Sequence, residues 1–285
     1  MSLISLKYSH LISDYKLKII HQSALEMAAC VCIDELSSRM TIKGGLCNYI
    51  LGALRLEKKE KFLLIDSSNN IYYRVEIDEI ARNKKQAIAN FEIIIIENDI
   101  TKKIYNCFIG VLKGTAAAET VERLTELGAD SIFFFRSKYS QYDIGDEKID
   151  RLIKIADAAS SQSRRLNVPV IKRLDFKDLA AFITAADSRS FLMAEPSIYC
   201  GSDGLKEFAP HGEDNDLYAP FISGSCRIIN IISGPEGGFE RGEAEGLLKL
   251  PGSRVSILNL KNVVLRAEFA PQAALAIIKN RCGDL

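Results

Sequence analysis

Long apolar segments are absent from this chain of 285 residues. A membrane-spanning helix needs about 20 consecutive, mostly apolar residues, and no such run occurs. Residues 1–11 also lack the basic flank and long apolar stretch of a secretory signal. With 47% hydrophobic and 26% charged residues, the composition is that of an ordinary globular protein. We therefore expect a cytoplasmic protein without a membrane segment, large enough for one or two hydrophobic cores.

Metal-binding patterns are scarce as well. The seven cysteines are scattered, odd in number and never spaced as Cys-x-x-Cys, which is typical of reduced thiols. The three histidines, His10, His21 and His211, lie far apart in the sequence. A tetrahedral zinc site therefore has few ligands available, and we predict no bound metal.

The chain also lacks an overall excess of positive charge. Lys+Arg and Asp+Glu each number 37, so the formal net charge is zero, which argues against a protein that coats nucleic acid through bulk positive potential. Residues 148–177 nevertheless carry eight bases against three acids. This local excess is suited to holding phosphates, and a solvated helix face is the alternative interpretation. No Gly-x-Gly-x-x-Gly or Gly-Lys-Ser/Thr loop is present, so a nucleotide-cofactor oxidoreductase has no support.

The first 98 residues have a β-rich pattern. Short alternating or apolar runs at Lys61–Asp66, Ile71–Ile77 and Ala87–Glu97 are separated by polar turn clusters. Strands spaced by about ten residues predict a small barrel. Apolar residues at helical spacing predict one helix over Ser23–Ser37.

Residues 104–285 change to an alternation of strands and helices. The predicted strands are Tyr105–Leu112, Ser131–Arg136, Ser190–Glu195, 227–233 and 254–258. The predicted helices are Ala116–Leu127, Glu147–Leu166, Phe176–Ala186, Arg241–Leu250 and Glu268–Lys279, and Ser197–Ser225 is predicted as a long loop. Such alternation predicts an α/β domain, a parallel sheet with helices on both faces.

A glycine-rich loop follows one of the buried strands. Gly234, Gly237 and Gly238 carry no Cβ, so a flat ligand can approach the main chain there, and Pro235 fixes one φ. The alternative is a strand-to-helix turn that serves geometry alone. Ligands of parallel sheets bind at the carboxyl ends of the strands, which is where this loop is predicted to lie.

A second segment of the same kind follows the next strand. Residues 258–270 bring Arg266 and Glu268, two unlike charges, beside a run of Val and Leu just as the final helix begins. Because both segments follow strands of one sheet and lie at the same edge of it, we expect them to converge.

Several motifs, taken in their order along the chain, identify a family. They are Tyr49–Leu56, Phe62–Asp66, Glu126-Leu-Gly128, Gln162-Ser-x-Arg165 with Val168-Pro169, Gly234-Pro-Glu-Gly-Gly238 with Glu243, and Leu265-Arg266 with Glu268 and Ala270. This set resembles the RsmE family of 16S rRNA uracil-N3 methyltransferases, in the SPOUT superfamily, over nearly the whole chain.

The resemblance implies a fold and a set of partners. It implies a PUA-like, RNA-binding β-barrel at residues 1–98, a trefoil-knotted SPOUT methyltransferase domain at residues 104–285, and a homodimer. It also implies S-adenosylmethionine as cofactor and 16S rRNA or the small ribosomal subunit as partner.

The site residues follow from the same motifs. The cofactor-binding candidates are Ile232, Gly234, Pro235, Gly237, Gly238, Leu258, Leu260, Val264 and Leu265. Arg266 is expected to meet the negative charge that develops on a uracil carbonyl oxygen, and Glu268 or Glu236 to orient Arg266 or accept the N3 proton. A structural ion pair that caps the last helix is the alternative for Arg266 and Glu268.

Arg55, Lys113, Arg164 and Arg165 are the candidates for RNA phosphate contacts. For each of them, ordinary surface charge is the alternative.

Four departures from the family pattern keep other functions open. Lys261, Val263, Ala267 and Phe269 stand where the family has other residue types. A non-catalytic RNA-binding or ribosome-assembly factor that retains the fold is therefore one alternative. Methylation of a different RNA base by the same architecture is another.

Overall fold

A computed structural model describes most of the chain. The described residues are 3–6, 18–22, 27, 29–34, 37–66, 69, 71–83, 85–96, 103–193, 207–208, 226–252, 254–258 and 264–285. They form two compact units, the first comprising residues 1–99 and 160–168 and the second comprising residues 100–159 and 169–285. Residues 160–168, which the sequence placed in the second domain, thus pack with the first unit.

The first unit is built on a mixed sheet. Its strands are β1 (Leu3–Leu6), β2 (Lys18–Gln22), β3 (Val31–Asp34), β4 (Arg39–Lys43), β5 (Lys61–Asp66), β6 (Ile71–Ile80) and β7 (Gln86–Ile96). The strand order is β2-β5-β6-β7-β4-β3, with β1 paired to β7. The pairs β1–β7 and β2–β5 are parallel and the others are antiparallel. A short helix, α1 (Gly44–Asn48), and a π-helical turn, Tyr49–Ala53, follow β4.

Both faces of β5 are covered. Phe62 and Leu64 belong to the main core of the unit, whereas Leu63 and Ile65, which alternate with them, join a second cluster that includes Leu166. Burial on both faces explains why this strand is a continuous apolar run.

The segment 160–168 is fastened to the first unit by polar contacts also. The His21 backbone N–H donates to Ser161 Oγ at 3.0 Å, and His21 Nε2 lies 2.7 Å from the Arg165 carbonyl oxygen. The Tyr72 hydroxyl donates to Asn167 Oδ1 at 2.8 Å. Burial is the main reason that the pKa of His21 falls to about 4, so the ring is neutral at pH 7 and Nε2 donates its hydrogen to the carbonyl.

The predicted strands of this unit are confirmed, but the predicted helix over Ser23–Ser37 is wrong in its second half. Residues 27, 29 and 30 are helical, whereas Val31–Asp34 form β3 and pair with Arg39–Lys43. Ser38, with a left-handed φ of 52°, lies in the turn between the two strands. Tertiary pairing overrides the helical spacing of the apolar residues here.

The second unit is built on a parallel sheet. Its strands are β8 (Ile104–Gly110), β9 (Ser131–Phe135), β10 (Val170–Leu174), β11 (Ser188–Met193), β12 (Glu207–Phe208), β13 (Ile228–Ser233) and β14 (Val255–Leu258). The order is β10-β9-β8-β13-β11-β14-β12, and every pair is parallel. The helices are α2 (Ala116–Glu126), α3 (Asp146–Gln162), α4 (Leu179–Ile183), α5 (Arg241–Leu248) and α6 (Ala270–Cys282), with a 3-10 turn at Phe176–Asp178. The prediction of an α/β fold with a parallel sheet and helices is confirmed.

Strand β13 lies in the middle of this sheet and is buried from Ile229 to Ser233. Ile232 faces a core that includes residues of α4 and α5, while α6 packs on β8, β11 and β13. Apart from Asn230 and Ser233 the strand is apolar, because its two faces are both covered.

A line of polar side chains crosses three of these strands. Asn106 Nδ2 of β8 donates to Asn230 Oδ1 of β13 at 3.1 Å. Asn230 Nδ2 donates to Ser190 Oγ of β11 at 3.2 Å and to the Phe182 carbonyl oxygen at 3.0 Å. A one-residue slip would leave these buried groups without partners, so the line favours one strand order and one register.

Several predicted boundaries in the second unit need correction. The helix predicted to reach Leu166 ends at Gln162, because Arg164 adopts a left-handed φ of 57° and Leu166 is buried in the first unit. The helix predicted over Phe176–Ala186 is reduced to a 3-10 turn and the short α4, and β10 was not predicted. Most of the loop predicted at Ser197–Ser225 lies outside the described residues. Within the described part of the chain, no helix is long and apolar enough to cross a membrane.

Candidate active site

The glycine-rich loop 234–238 connects β13 to α5 at the carboxyl edge of the parallel sheet. The Gly238 N–H donates to the Pro235 carbonyl oxygen at 2.9 Å, which closes a tight turn. Gly238 has a left-handed φ of 71°, and a Cβ there would meet no atom within 4 Å. The backbone is therefore accessible on this side of the loop.

The start of the loop is held by a very close approach to the neighbouring strand. A Cβ added to Gly110, the last residue of β8, would lie 2.3 Å from the Pro235 nitrogen and 2.7 Å from the Gly234 carbonyl carbon. No other residue type fits at position 110 without moving the loop. Sequence reasoning missed Gly110, although a glycine at the end of a buried strand was a usable signal.

The tip of the loop is joined to the next connection. Glu236 Oε1 accepts a hydrogen bond from the Lys113 backbone N–H at 2.7 Å. The two connections that follow β8 and β13 are thus linked by a charge-assisted hydrogen bond.

The connection that follows β9 is joined to the same region through Glu243, in the first turn of α5. Glu243 Oε2 accepts the Glu240 N–H at 3.0 Å, completing a capping box at the start of the helix. Its other oxygen accepts the Lys138 N–H, in the connection after β9, at 2.8 Å. The Lys138 side chain also pairs with Glu240. The family motif residue Glu243 therefore positions the backbone at the edge of the site.

The described end of the second predicted segment, residues 264–270, is held in place around Glu268. The Glu268 carbonyl oxygen accepts hydrogen bonds from Gln272 Nε2 at 2.8 Å and from Thr120 Oγ1 of α2 at 3.3 Å. Arg266 Nη1 lies 3.9 Å from Glu268 Oε1, and the Arg266 side chain is 88% exposed. Both predicted segments are therefore attached to the stretch of chain that runs from β8 through α2, one at Lys113 and the other at Thr120.

The predicted cofactor residues have different surroundings. Ile232 and Leu258 are 0% and 1% exposed, so their side chains support the sheet edge from within the core. Val264 is 89% exposed, and Leu265 is partly buried. Leu260, together with the departures Lys261 and Val263, lies outside the described residues.

The four phosphate candidates are divided between the two units. Arg55, Arg164 and Arg165 belong to the first unit and Lys113 belongs to the second. Arg55 and Arg164 are exposed and have left-handed φ values of 53° and 57°, and Arg165 is partly buried. Among the described residues, no group of three or more His, Cys, Asp or Glu side chains is placed to hold a metal ion.

Comparison with known proteins identifies the family. A model of the RNA methyltransferase domain matches residues 101–279. The ribosomal RNA small subunit methyltransferase E of Rickettsia conorii is 24% identical over 81% of this chain and 85% of its own length. The Bacillus subtilis protein of the same name is 25% identical over 86% of this chain and 91% of its own length.

A solved structure shares the fold. The ribosomal RNA small subunit methyltransferase E from Neisseria gonorrhoeae, bound to S-adenosyl methionine, superposes with a TM-score of 0.65 at 17% identity. The match covers 93% of this chain and 97% of that one. The resemblance drawn from the motifs is confirmed, and this chain belongs to the RNA methyltransferase family.

Proposed function

We propose that this protein transfers a methyl group from S-adenosylmethionine to N3 of a uridine in the 16S rRNA of the small ribosomal subunit. One observation carries the proposal. The glycine loop 234–238 is locked against Gly110 and Lys113 at the carboxyl edge of a parallel sheet, and one side of its backbone is open at Gly238. The family membership and the names of the similar proteins support methyl transfer to ribosomal RNA as the reaction at this edge of the sheet.

The two units take different parts in this function. The mixed sheet of the first unit belongs to a PUA-like RNA-binding domain at residues 1–98, and the parallel sheet of the second belongs to a trefoil-knotted SPOUT domain at residues 104–285. Support for the knot comes from the strand order, in which the late strand β13 is inserted between β8 and β11. Support for a homodimer comes from Val264 and Phe269, which are 89% and 52% exposed beside the start of α6.

The cofactor is held mainly by main-chain groups. Gly238 leaves space where a side chain would stand, and a Cβ at Gly237 would crowd Tyr139 at 3.0 Å, so the loop presents backbone to a ligand. Gly234 and Pro235 fix its direction, and Val264 and Leu265 supply apolar cover from the second segment. When bound, S-adenosylmethionine supplies the electrophilic methyl group.

Arg266 and Glu268 act on the uracil. The exposed guanidinium of Arg266 donates hydrogen bonds to a uracil carbonyl oxygen, where negative charge develops as the N3 proton leaves. Glu268, 3.9 Å from Arg266, orients the guanidinium or accepts that proton. Glu236 already accepts the Lys113 N–H, so its part is to position the loop.

The alternative for Arg266 and Glu268, a structural ion pair, has little energetic basis. A pair separated by 3.9 Å with one partner 88% exposed is of the kind that contributes about 0–1 kcal/mol to stability. That ion pair alone would therefore stabilise the last helix only slightly.

RNA is held by positive charge on both units. Arg55, Arg164 and Arg165 on the first unit and Lys113 on the second contact phosphates. The hydrogen bond that His21 donates to the Arg165 carbonyl oxygen fixes the backbone at that arginine, so the main chain there does not have to be ordered when RNA binds.

Mass spectrometry of 16S rRNA from cells with and without the protein tests the reaction and the target together. We expect one 3-methyluridine to be lost without the protein and restored when purified protein and S-adenosylmethionine are added to the unmethylated small subunits. Loss of a different methylated base would assign another target. An unchanged rRNA together with no cofactor binding at millimolar S-adenosylmethionine would instead support a non-catalytic assembly factor.

A further inference from the structure

Two exposed tyrosines stand in the connection between β9 and α3, residues 136–145, at the edge of the sheet where the glycine loop lies. Tyr139 is 47% exposed and Tyr142 is 39% exposed. Single exposed aromatic side chains are common on protein surfaces. Two of them within four residues, beside a candidate active site, form a surface that a planar ligand can use.

The connection is held in a defined conformation. Ser137 and Ser140 are 5% and 8% exposed, and the Ser137 N–H donates to Ser140 Oγ at 3.0 Å while the Ser140 N–H donates to the Ser137 carbonyl oxygen at 3.1 Å. Further along, Ile144 is fully buried. The tyrosines are therefore exposed on a connection whose backbone is held by hydrogen bonds and burial, so little conformational entropy is lost when a ligand binds them.

Contacts on both sides connect this turn to the site. A Cβ at Gly237 would lie 3.0 Å from the Tyr139 Cβ, so the backbone of the cofactor loop lies against Tyr139 with little space for a side chain at position 237. Lys113 Nζ lies 5.9 Å from the centre of the Tyr142 ring, while the backbone of the same lysine is bonded to Glu236. The two rings thus flank the loop that we propose for the cofactor.

Positive charge accompanies the rings. Lys113 and Arg136 are exposed, whereas the charge of Lys138 is paired with Glu240. Exposed aromatic faces combined with exposed basic side chains are the arrangement that binds single-stranded nucleic acid, because the nucleotide bases stack on the rings and the phosphates meet the cations.

We propose that Tyr139 and Tyr142 form a stacking platform for an unpaired base of the RNA substrate, beside the nucleotide that is methylated, with Lys113 and Arg136 holding the adjoining phosphates. This inference rests on the proposed function and adds to it a site on the second unit for single-stranded RNA.

Tryptophan fluorescence gives a direct test, because the chain contains no tryptophan. Tyr139→Trp and Tyr142→Trp each place a single fluorophore on the platform and retain stacking. Val170→Trp is the matched control. Val170 is 46% exposed and is the first residue of β10, so it lies at the amino-terminal ends of the strands, whereas the tyrosines lie at their carboxyl ends. A short single-stranded oligouridylate is expected to quench the two platform fluorophores and to leave the control unchanged.

Binding constants separate stacking from charge. Tyr139→Ala and Tyr142→Ala are each expected to weaken oligouridylate binding about tenfold, with S-adenosylmethionine binding retained and the salt dependence unchanged. Tyr139→Phe and Tyr142→Phe keep the ring and are expected to bind as the wild type does. Lys113→Ala is expected to reduce, by about one, the steepness with which the logarithm of the binding constant falls with the logarithm of the salt concentration.

The outcomes distinguish this inference from the function on which it rests. Equal oligouridylate affinity in the alanine variants and the wild type would overturn the platform, even if the wild type methylates small subunits. Quenching in a protein that transfers no methyl group would support the platform and count against the proposed function. Fluorescence that changes with protein concentration alone would identify a second copy of the chain as the occupant and overturn an RNA role.

Discussion

The Glu236 carboxylate and the Lys113 backbone N–H, 123 residues apart in sequence, form a 2.7 Å hydrogen bond. This bond joins the connections that follow two neighbouring strands, β13 and β8. The tip of the glycine loop is exposed, so hydrogen bonds of this kind are what hold it in one conformation. A ligand that binds its backbone therefore meets a loop that is already ordered.

Replacing Glu236 with Ala removes the acceptor. We expect S-adenosylmethionine affinity to fall about tenfold, the size of a lost charge-assisted hydrogen bond, with little change in stability because the carboxylate is exposed. Glu236→Gln is the matched variant, since its amide oxygen still accepts the Lys113 N–H, and it should bind the cofactor nearly as well. Calorimetric titration measures both. A Gln variant as weak as the Ala variant would show that the charge, and not the loop position, is what matters.

Gly110→Ala should destabilise the second unit. The added Cβ would be placed 2.3 Å from the Pro235 nitrogen, and because that neighbour is backbone, the loop must move at a cost of about 1–3 kcal/mol. Cofactor binding should weaken in the same variant, since the displaced residues are Gly234 and Pro235.

Gly246→Ala is the control for that substitution. Gly246 lies in α5, and a Cβ there meets nothing within 4 Å, so this variant should be about 0.5–1 kcal/mol more stable than the wild type. Urea denaturation of both variants checks the pair. Equal midpoints for Gly110→Ala and the wild type would mean that the loop tolerates displacement.

Arg266→Ala should lose activity and keep stability. The side chain is 88% exposed and 3.9 Å from Glu268, so we expect a change in unfolding free energy below about 1 kcal/mol. The rate of methyl transfer to small subunits should fall by about 10²–10³, the effect of removing a donor from a developing oxyanion. Arg227→Ala is the control, because Arg227 is also exposed but immediately precedes β13, at the opposite edge of the sheet. A fully active Arg266→Ala protein would exclude the catalytic role.

The stability of the first unit should depend on pH through His21. Burial is the main cause that lowers the pKa of His21 to about 4 in the folded protein, whereas an exposed histidine titrates near 6.5. The unfolded chain therefore binds a proton at a higher pH than the native state does. The stabilisation that comes from keeping His21 neutral is therefore complete above about pH 6.5. Its loss as the pH decreases from about 6.5 to about 4 lowers the free energy of unfolding by about 3 kcal/mol.

His21→Gln tests this pH dependence. Glutamine can place a neutral donor near the Arg165 carbonyl oxygen but does not titrate in this range. The slope of unfolding free energy against pH between 4 and 6.5 should be smaller in the variant. Parallel curves for the two proteins would show that the native state protonates His21 as easily as the unfolded chain does.

Local patterns explain why much of this architecture could be predicted. The apolar run Phe62–Ile65 of β5 and the mostly apolar β13, which only Asn230 interrupts before Ser233, indicate strands because both of their faces are covered, and such patterns are visible in the sequence. The glycine loop was predictable for a similar reason. A turn that exposes backbone needs residues without a Cβ, and that requirement is local.

Contacts between distant residues explain the failures. Val31–Asp34 carries a helical spacing of apolar residues but forms a strand, since Arg39–Lys43 offers it a partner. The end of α3 was misplaced because Leu166 belongs to a buried cluster with Ile19 and Leu63, and neither residue is near it in the chain. The importance of Gly110 was missed because its neighbour, Pro235, is 125 positions away.

Local sequence patterns were enough to predict the alternation of strands and helices in the second unit, the glycine loop, and the motifs that mark an RNA methyltransferase. They did not show that Gly110, Lys113 and Glu243 hold this loop, that residues 160–168 pack with the first unit, or that two exposed tyrosines flank the site, because these relationships join residues far apart in the chain. Periodicity and backbone freedom act over a few residues, whereas the close approach of two strands or loops depends on how the whole sheet is ordered.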